Sequence, residues 1–116
     1  MSLNKFVVDT AGSFRREAKP LLKRYASLKE ELYKLNEVLA SNPKTGVSVG
    51  KNCFKIRLKI VSKGKGSSGG ARVITCVVAV TETVFLLSIY DKSEQENISD
   101  KRLTELLQQL PPQGQP

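Results

Sequence analysis

Hydrophobic residues recur every three to four positions along two consecutive segments of the N-terminal half. The first stripe comprises Phe14, Ala18, Leu21 and Tyr25, and the second comprises Leu28, Leu32, Leu35 and Leu39. Because residues at this spacing lie on one face of a helix, both segments are predicted to be amphipathic helices. Only a short turn separates them, which favours an antiparallel helical hairpin.

Local signals predict where these helices begin and end. Ser27 and Glu30 have the spacing of a capping box at the start of the second helix, and Asn42-Pro43 is expected to end it. Pro20 falls inside the first helical pattern. Since proline lacks an amide donor, we expect it to kink this helix or to begin its second half.

The middle of the chain changes to the alternating pattern of a half-buried strand. In CFKIRLKIV, residues 53–61, the apolar positions fall on one face and Lys55, Arg57 and Lys59 fall on the other. The segments 71–80 and 83–90 are apolar on both faces, as expected of central strands.

The two ends of the chain complete the predicted fold. Residues 5–10, KFVVDT, read as a short strand, and 97–110 read as a helix with Ser99 as its N-cap. The order β-α-α-β-β-β-α predicts a small single α+β domain, with an N-terminal helical hairpin packed on an antiparallel sheet. We assign residues 1–110 to this domain and expect 111–116 to be a disordered tail.

Charge is concentrated in one part of the sequence. The 116 residues contain 19 Lys and Arg against 11 Asp and Glu, a net charge of +8. Seven of the cations and no acid lie between positions 51 and 72: Lys51, Lys55, Arg57, Lys59, Lys63, Lys65 and Arg72. Since three of them share one strand face, the pattern predicts a phosphate-binding groove, with nucleic acid as the first partner and an acidic protein as the second.

Several functional classes are disfavoured by the composition. The chain has no histidine and two cysteines, which do not complete a zinc site, so we expect no metal and no cofactor. Both cysteines lie in apolar runs and are expected to pack in the core. The N-terminus lacks a long apolar segment, and polar residues interrupt 73–90, so neither a signal peptide nor a membrane span is predicted. We therefore expect a cytoplasmic protein.

The glycine-rich stretch GKGSSGG, residues 64–70, matches the dinucleotide-binding pattern G-x-G-x-x-G. That pattern binds pyrophosphate when a helix follows it, because the helix N-terminus supplies amide donors. Here a β-branched segment without helical period follows instead. The stretch also lacks the order of a P-loop, so a wide hairpin loop is predicted rather than a nucleotide site.

The order of these segments resembles the RelE-like branch of the RelE/ParE toxin superfamily of type II toxin–antitoxin systems. The resemblance rests on KNCFKIRLKIVSKGKGSSGGARVI, on LLSIYDKSEQENIS and on the two upstream helices, and it covers about residues 5 to 107. Ser67 and Thr75 stand where relatives often carry lysine and tyrosine. No tyrosine occurs from Ser93 to Pro116, where RelE members carry one.

The resemblance implies a RelE-like fold and a metal-independent endoribonuclease, often acting on mRNA at the ribosome and held inactive by a cognate antitoxin. The matching positions imply a catalytic set of Lys55, Arg57, Arg72, Tyr90 and Lys92. Additional RNA contacts are expected from Lys51, Lys59, Lys63, Lys65 and Ser68. Two alternatives stay open: a ParE-like inhibitor of DNA gyrase and an RNA-binding module without catalysis.

Roles within this set follow from the chemistry of the side chains. Without histidine, proton transfer must use lysine, tyrosine, a carboxylate or a group of the substrate. Lys55 lies among other cations and is the candidate general base. Arg72 is suited to holding the dianionic phosphate through paired donors. Lys92 or Tyr90 could position the phosphate or protonate the leaving oxygen, and Tyr90 could instead stack on a base.

Overall fold

The computed structural model of the protein describes residues 5–64 and 69–111. In chain order the helices and strands are β1 (Val7–Thr10), α1 (Gly12–Arg24), α2 (Leu28–Ser41), β2 (Val47–Gly50), β3 (Cys53–Leu58), β4 (Ala71–Val78), β5 (Thr83–Asp91) and α3 (Asp100–Gln108). These elements confirm the α+β fold class and the N-terminal helical hairpin. They add one strand, β2, to the predicted order. Of the predicted tail, 111–116, only Pro111 lies within the described residues.

The strands form a single sheet in the order β1-β5-β4-β3-β2. Neighbouring strands from β2 to β5 are antiparallel, whereas β1 is parallel to β5. The sheet is therefore mixed, and the prediction of a purely antiparallel sheet was wrong at this edge. Tight turns force consecutive strands to be antiparallel, but β1 and β5 are separated by most of the chain, so no turn fixes their relative direction.

The strand β2 was missed because it is short and forms a hairpin whose turn has no typical signal. Lys51 and Asn52 occupy the turn with φ values of 56° and 61°. Two consecutive left-handed residues match the twist of a two-residue hairpin, but glycine is the usual signal for this turn. Lys51 therefore lies at a hairpin tip and is exposed.

The two faces of the sheet pack against different helices. The hairpin of α1 and α2 covers one face through its predicted stripes, together with Ile56, Leu58 and Ile60 from the region of β3. Helix α3 covers part of the other face, where Leu103 and Leu106 pack in the same cluster as the two cysteines. Cys53 and Cys76 are register partners and both are buried, which confirms their predicted place in the core.

One local prediction about the helices, the capping box, was wrong. Ser27 makes no side-chain cap to the first turn of α2, so the capping box does not form. Its hydroxyl instead accepts the Ser62 amide at 2.9 Å, because the connection after β3 lies beside this end of the helix. Helix α1 continues through Pro20 to Arg24 without a break into two elements. Pro20 lies on its exposed side, where water can satisfy the carbonyl that loses its donor.

None of the helices that the structure describes is both long and apolar enough to cross a membrane.

Candidate functional site

Three of the predicted site residues lie in one row across the sheet. Arg57 on β3 pairs with Arg72 on β4, and Arg72 pairs with Tyr90 on β5. Paired residues on adjacent strands point to the same face, and the strands lie about 4.8 Å apart. The chain therefore brings together two guanidinium groups and a phenol, although Arg57 and Tyr90 are 33 positions apart in the sequence. We call these residues the Arg57–Arg72–Tyr90 row.

The face that carries the row is the one on which α3 packs. Ile74, two residues after Arg72, belongs to the same core cluster as Leu103 and Leu106. Lys55 pairs with Ile74 and so lies next to the row on this face. Tyr90 of the row belongs to this cluster as well, so α3 packs on the same face beside the row.

Lys55 is held by the segment that precedes α3. Its ammonium donates a hydrogen bond to Asn97 Oδ1 at 3.0 Å, and the residue is partly exposed. Asn97 was not singled out by the sequence, because nothing there shows that it reaches across to β3. The contact places the amine at the border between the row and α3.

Arg57 and Arg72 differ strongly in exposure. Arg57 is exposed, and its guanidinium makes no ion pair or side-chain hydrogen bond within the described part of the chain. Arg72 is only 3% exposed, and its Nη1 donates to the Ala71 carbonyl at 3.1 Å. A buried guanidinium is stabilised by partners that accept its five donors, so Arg72 is fixed in place while Arg57 is free to move toward a ligand.

Tyr90 lies at the end of the row and is 8% exposed. Its hydroxyl is buried and has no hydrogen-bond partner among residues 5–64 and 69–111. Burial raises the pKa of the Tyr90 phenol, and the nearby Arg72 charge only partly opposes this shift. The phenol therefore stays protonated and can act as a donor. Its low exposure leaves little ring surface for stacking on a base.

Lys92 follows β5 directly and lies beside the start of β4. Its amide donates to the Gly70 carbonyl at 3.0 Å, and its ammonium lies 3.9 Å from Glu96. The side chain is 29% exposed, and an ion pair at this separation is weak. Lys92 can therefore turn toward a phosphate at small cost. Lys59, by its alternation with Arg57, extends the basic edge of the same face and is exposed.

Lys51 and Lys63 are both engaged by other parts of the protein. Lys51 donates to Thr104 Oγ1 on α3 at 2.6 Å, although the residue as a whole is exposed. The Lys63 side chain is 10% exposed and forms an ion pair with the buried carboxylate of Asp91. This pair occupies the Lys63 ammonium, so we do not include Lys63 among the proposed RNA contacts. Lys65 and Ser68 lie outside the described residues.

Thr75, one of the departures from related sequences, lies away from the row. It is fully buried and pairs with Phe54, which packs toward the helical hairpin. The threonine therefore does not change the side chains around Arg72. Ser67, the other departure, lies outside the described residues.

Two carboxylates that contact β5 or lie on it were missed by reasoning from the sequence. Glu17 on α1 accepts the Ser88 hydroxyl at 2.6 Å and lies 3.4 Å from Arg102 Nη2 on α3. Asp91 accepts hydrogen bonds from several segments and is 1% exposed. Burial opposes the ionisation of Asp91, but hydrogen bonds from Lys63 and Ser93 outweigh it and hold its pKa below the usual range. Only the position of Asp91, directly between Tyr90 and Lys92, could have drawn attention to it.

The arrangement is suited to binding a phosphate diester and to moving protons around it. Arginine donors can stabilise the charge that grows on a phosphate oxygen, and preorganised donors act without a reorganisation cost. An amine on one side and a protonated phenol on the other could serve as proton acceptor and donor. Among the described residues, no three His, Cys, Asp or Glu side chains cluster as metal ligands would.

Solved structures with this architecture include bacterial toxins of the RelE type. A mutant of the E. coli toxin RelE in the free state aligns with a TM-score of 0.58 at 19% identity, covering 90% of this chain and 96% of that one. The isolated E. coli RelE toxin aligns with a TM-score of 0.51 at 23% identity, covering 90% and 99%. No family model matches the sequence.

A third similar structure is the toxin–antitoxin complex RelBE2 from Mycobacterium tuberculosis. It aligns with a TM-score of 0.55 at 17% identity, covering 78% of this chain and 94% of the matched chain. The protein therefore has the fold of RelE-like toxins, and the resemblance drawn from the sequence is confirmed at the level of the fold.

Proposed function

We propose that this protein is the toxin of a type II toxin–antitoxin system and that it is a metal-independent endoribonuclease acting on mRNA. The observation that supports this most is the Arg57–Arg72–Tyr90 row, which aligns two cations suited to binding phosphate and a protonated phenol on one face of a RelE-like sheet. Residues 1–110 would form the toxin domain, acting in the cytoplasm.

The proposed reaction uses the 2′-hydroxyl of the RNA as its nucleophile. This oxygen attacks the adjacent phosphorus while the bond from phosphorus to the 5′-oxygen breaks. The products are a 2′,3′-cyclic phosphate on the upstream fragment and a 5′-hydroxyl on the downstream fragment. One proton leaves the 2′-oxygen and one reaches the departing 5′-oxygen, so the step needs one acceptor and one donor.

The side chains of the site can be assigned to these steps. Lys55, in its neutral form, would accept the proton of the 2′-hydroxyl, and Asn97 would keep its amine in place. Arg57 and Arg72 would stabilise the charge on the non-bridging phosphate oxygens. Tyr90 or Lys92 would protonate the 5′-oxygen. Since only 3% of Arg72 is exposed, RNA could reach its guanidinium only after neighbouring groups move aside.

Replacing Tyr90 by phenylalanine tests the role of the phenol without disturbing the core. The hydroxyl is buried without a partner in the described structure, so its removal should leave the free energy of unfolding unchanged or raise it by about 1 kcal/mol. If the phenol protonates the leaving oxygen, the cleavage rate should fall by about 10²-fold or more. Urea unfolding and single-turnover cleavage measure the two effects. If the variant cleaves at the parent rate, Lys92 rather than Tyr90 donates the proton to the leaving 5′-oxygen.

The proposed partners are an antitoxin, mRNA and the ribosome. One of the similar structures is a toxin–antitoxin complex, which supports an antitoxin partner for this chain. The exposed cations Arg57 and Lys59 favour an acidic antitoxin segment on this face, since opposite charges speed association and would cover the phosphate site. Ribosome dependence would explain how a small domain selects translated mRNA.

Induction of the protein in bacterial cells without an antitoxin distinguishes this function from the two alternatives. We expect growth to stop and primer extension to reveal new ends within translated mRNA. Intact mRNA together with gyrase-dependent DNA breaks would indicate a ParE-like inhibitor. Growth arrest with neither kind of cut would indicate an RNA-binding module. Co-expression of the protein encoded next to this gene should restore growth if that protein is the antitoxin.

A further inference from the structure

The ammonium group of Lys63 connects the beginning of β4 to the end of β5. It forms an ion pair with Asp91 Oδ1 and donates to the Gly70 carbonyl at 3.4 Å. Gly70 immediately precedes β4, and Asp91 is the last residue of β5. The lysine itself lies in the helical turn Val61–Lys63 that follows β3. One side chain therefore connects three segments of the site-bearing part of the sheet.

The carboxylate of Asp91 is held from further directions. Tyr25, at the end of α1, donates its hydroxyl to Asp91 Oδ2 at 2.7 Å. Ser93 donates its amide and its hydroxyl to Asp91 Oδ1 at 2.9 and 2.7 Å. Because every oxygen of this buried carboxylate is occupied, its position is fixed relative to the strand end and to the helical hairpin.

The place of this ion pair in the sheet connects it to the proposed site. Asp91 is the register partner of Ala71, and the next pair along these strands is Tyr90 with Arg72. The Gly70 carbonyl, which Lys63 contacts, also accepts the amide of Lys92. The ion pair therefore holds the ends of β4 and β5 within two residues of Arg72, Tyr90 and Lys92.

Stabilisation of the fold is not a sufficient explanation for a buried ion pair at this place. Replacing a buried ion pair with neutral groups of similar volume often leaves stability unchanged, because burial of the two charges is itself costly. The Lys63 ammonium nevertheless restricts geometry, because it would lose its contact with either Asp91 or the Gly70 carbonyl if the ends of β4 and β5 separated.

We propose that Lys63 and Asp91 form a positioning pair that sets the relative position of the β4 and β5 ends and so holds Arg72 and Tyr90 in the geometry that the phosphate requires. Neither residue would contact the RNA. This inference rests on the proposed ribonuclease function for its catalytic consequence, but its structural part can be measured separately.

The test compares the parent protein with the double variant Lys63→Met, Asp91→Asn. Both new side chains are neutral and similar in volume. The asparagine oxygen can still accept from Ser93, and the amide nitrogen, which replaces the oxygen that accepts from Tyr25, can donate to the Tyr25 hydroxyl oxygen. We expect the melting temperature to change by less than about 4 °C. The value of kcat should fall by about 10²-fold while KM stays within about twofold, since a displacement of the site slows the reaction without removing a substrate contact.

Two further variants make the result decisive. Tyr25→Phe removes one hydrogen bond to Asp91 but leaves the Lys63 contacts, so its kcat should equal that of the parent. If the double variant does not fold, Lys63→Met alone replaces it, because it removes the Lys63 contacts to Asp91 and Gly70 while Asp91 keeps its hydrogen bonds from Tyr25 and Ser93. A parent-like kcat in the folded double variant, or in Lys63→Met, would overturn the proposal.

Amide hydrogen exchange at Lys92 tests the positioning without any assay of activity. This amide donates a hydrogen bond to the Gly70 carbonyl. Its protection against exchange should therefore fall in the double variant and stay unchanged in Tyr25→Phe. If the parent protein does not cleave RNA, the proposed function fails, and exchange at Lys92 still decides the positioning claim. Unchanged protection of the Lys92 amide in the double variant would contradict the positioning claim.

Discussion

Replacing Arg72 by alanine is expected to reduce RNA cleavage by at least about 10²-fold and to abolish growth arrest. Arg72 is the central member of the row, with Arg57 on one side and Tyr90 on the other. Once neighbouring groups have moved aside, the Arg72 guanidinium would stabilise the charge that develops on the phosphate, and the loss of one such donor costs about 10² to 10³ in rate. Cleavage rates per folded protein, corrected by circular dichroism, measure the effect.

Matched variants separate the specific role of Arg72 from the general effect of charge. Arg16→Ala removes an exposed arginine of α1 with the same change in net charge, and it should cleave at nearly the parent rate. Arg72→Lys keeps the charge but loses the paired donors, so it should remain at least about tenfold slower than the parent. If Arg72→Ala arrests growth as strongly as the parent, the row is not the site.

The second large effect is expected from Gly70→Ala, which should lower the free energy of unfolding by about 3 kcal/mol or more. A β-carbon at Gly70 would lie 2.1 Å from the Leu58 carbonyl oxygen and 3.1 Å from the Ile60 amide nitrogen. Both atoms belong to the backbone, so the end of β3 and the start of β4 would have to separate. The carbonyl of Gly70 also accepts from Lys92 and Lys63, which links the clash to the site.

Gly64→Ala is the control for this substitution, because it lies in the same connection between β3 and β4. A β-carbon there would meet no atom of the described residues within 4 Å, but φ is +78°, a conformation that alanine adopts only with strain. We therefore expect Gly64→Ala to cost about 1 to 2 kcal/mol. Urea unfolding of both variants gives the comparison. Equal losses in the free energy of unfolding would show that the backbone around Gly70 accommodates the added β-carbon without a further energetic cost.

The alternation of β3 was sufficient to predict which face of the strand carries its cations. Lys55 and Arg57 are found on one face and Ile56 on the other, as the period of two requires. The sequence could not predict the pairing of Arg57 with Arg72 and of Arg72 with Tyr90. Strand register depends on the lengths of the connections, and the register of β4 with β5 also shifts between Ile74 and Thr75.

The surroundings of Lys63 could not be predicted from the distribution of charges along the sequence. In the sequence it belongs to a run of cations without an interleaved acid and was therefore expected at the edge of an RNA-binding groove. In the fold its partner is Asp91, 28 residues further along the chain. Local patterns contain no information about which distant carboxylate a strand brings close. The direction of β1 and the partners of Ser27 escaped prediction for the same reason.

The central claim is that the row catalyses attack of the 2′-hydroxyl on the neighbouring phosphate. The most direct measurement is end-group analysis of mRNA incubated with ribosomes and the purified parent or Arg72→Ala protein. We expect the parent to leave upstream fragments with a 2′,3′-cyclic phosphate and downstream fragments with a 5′-hydroxyl, and the variant to leave the mRNA uncut. Intact mRNA with the parent protein, or fragments ending in a 3′-hydroxyl and a 5′-phosphate, would contradict the claim.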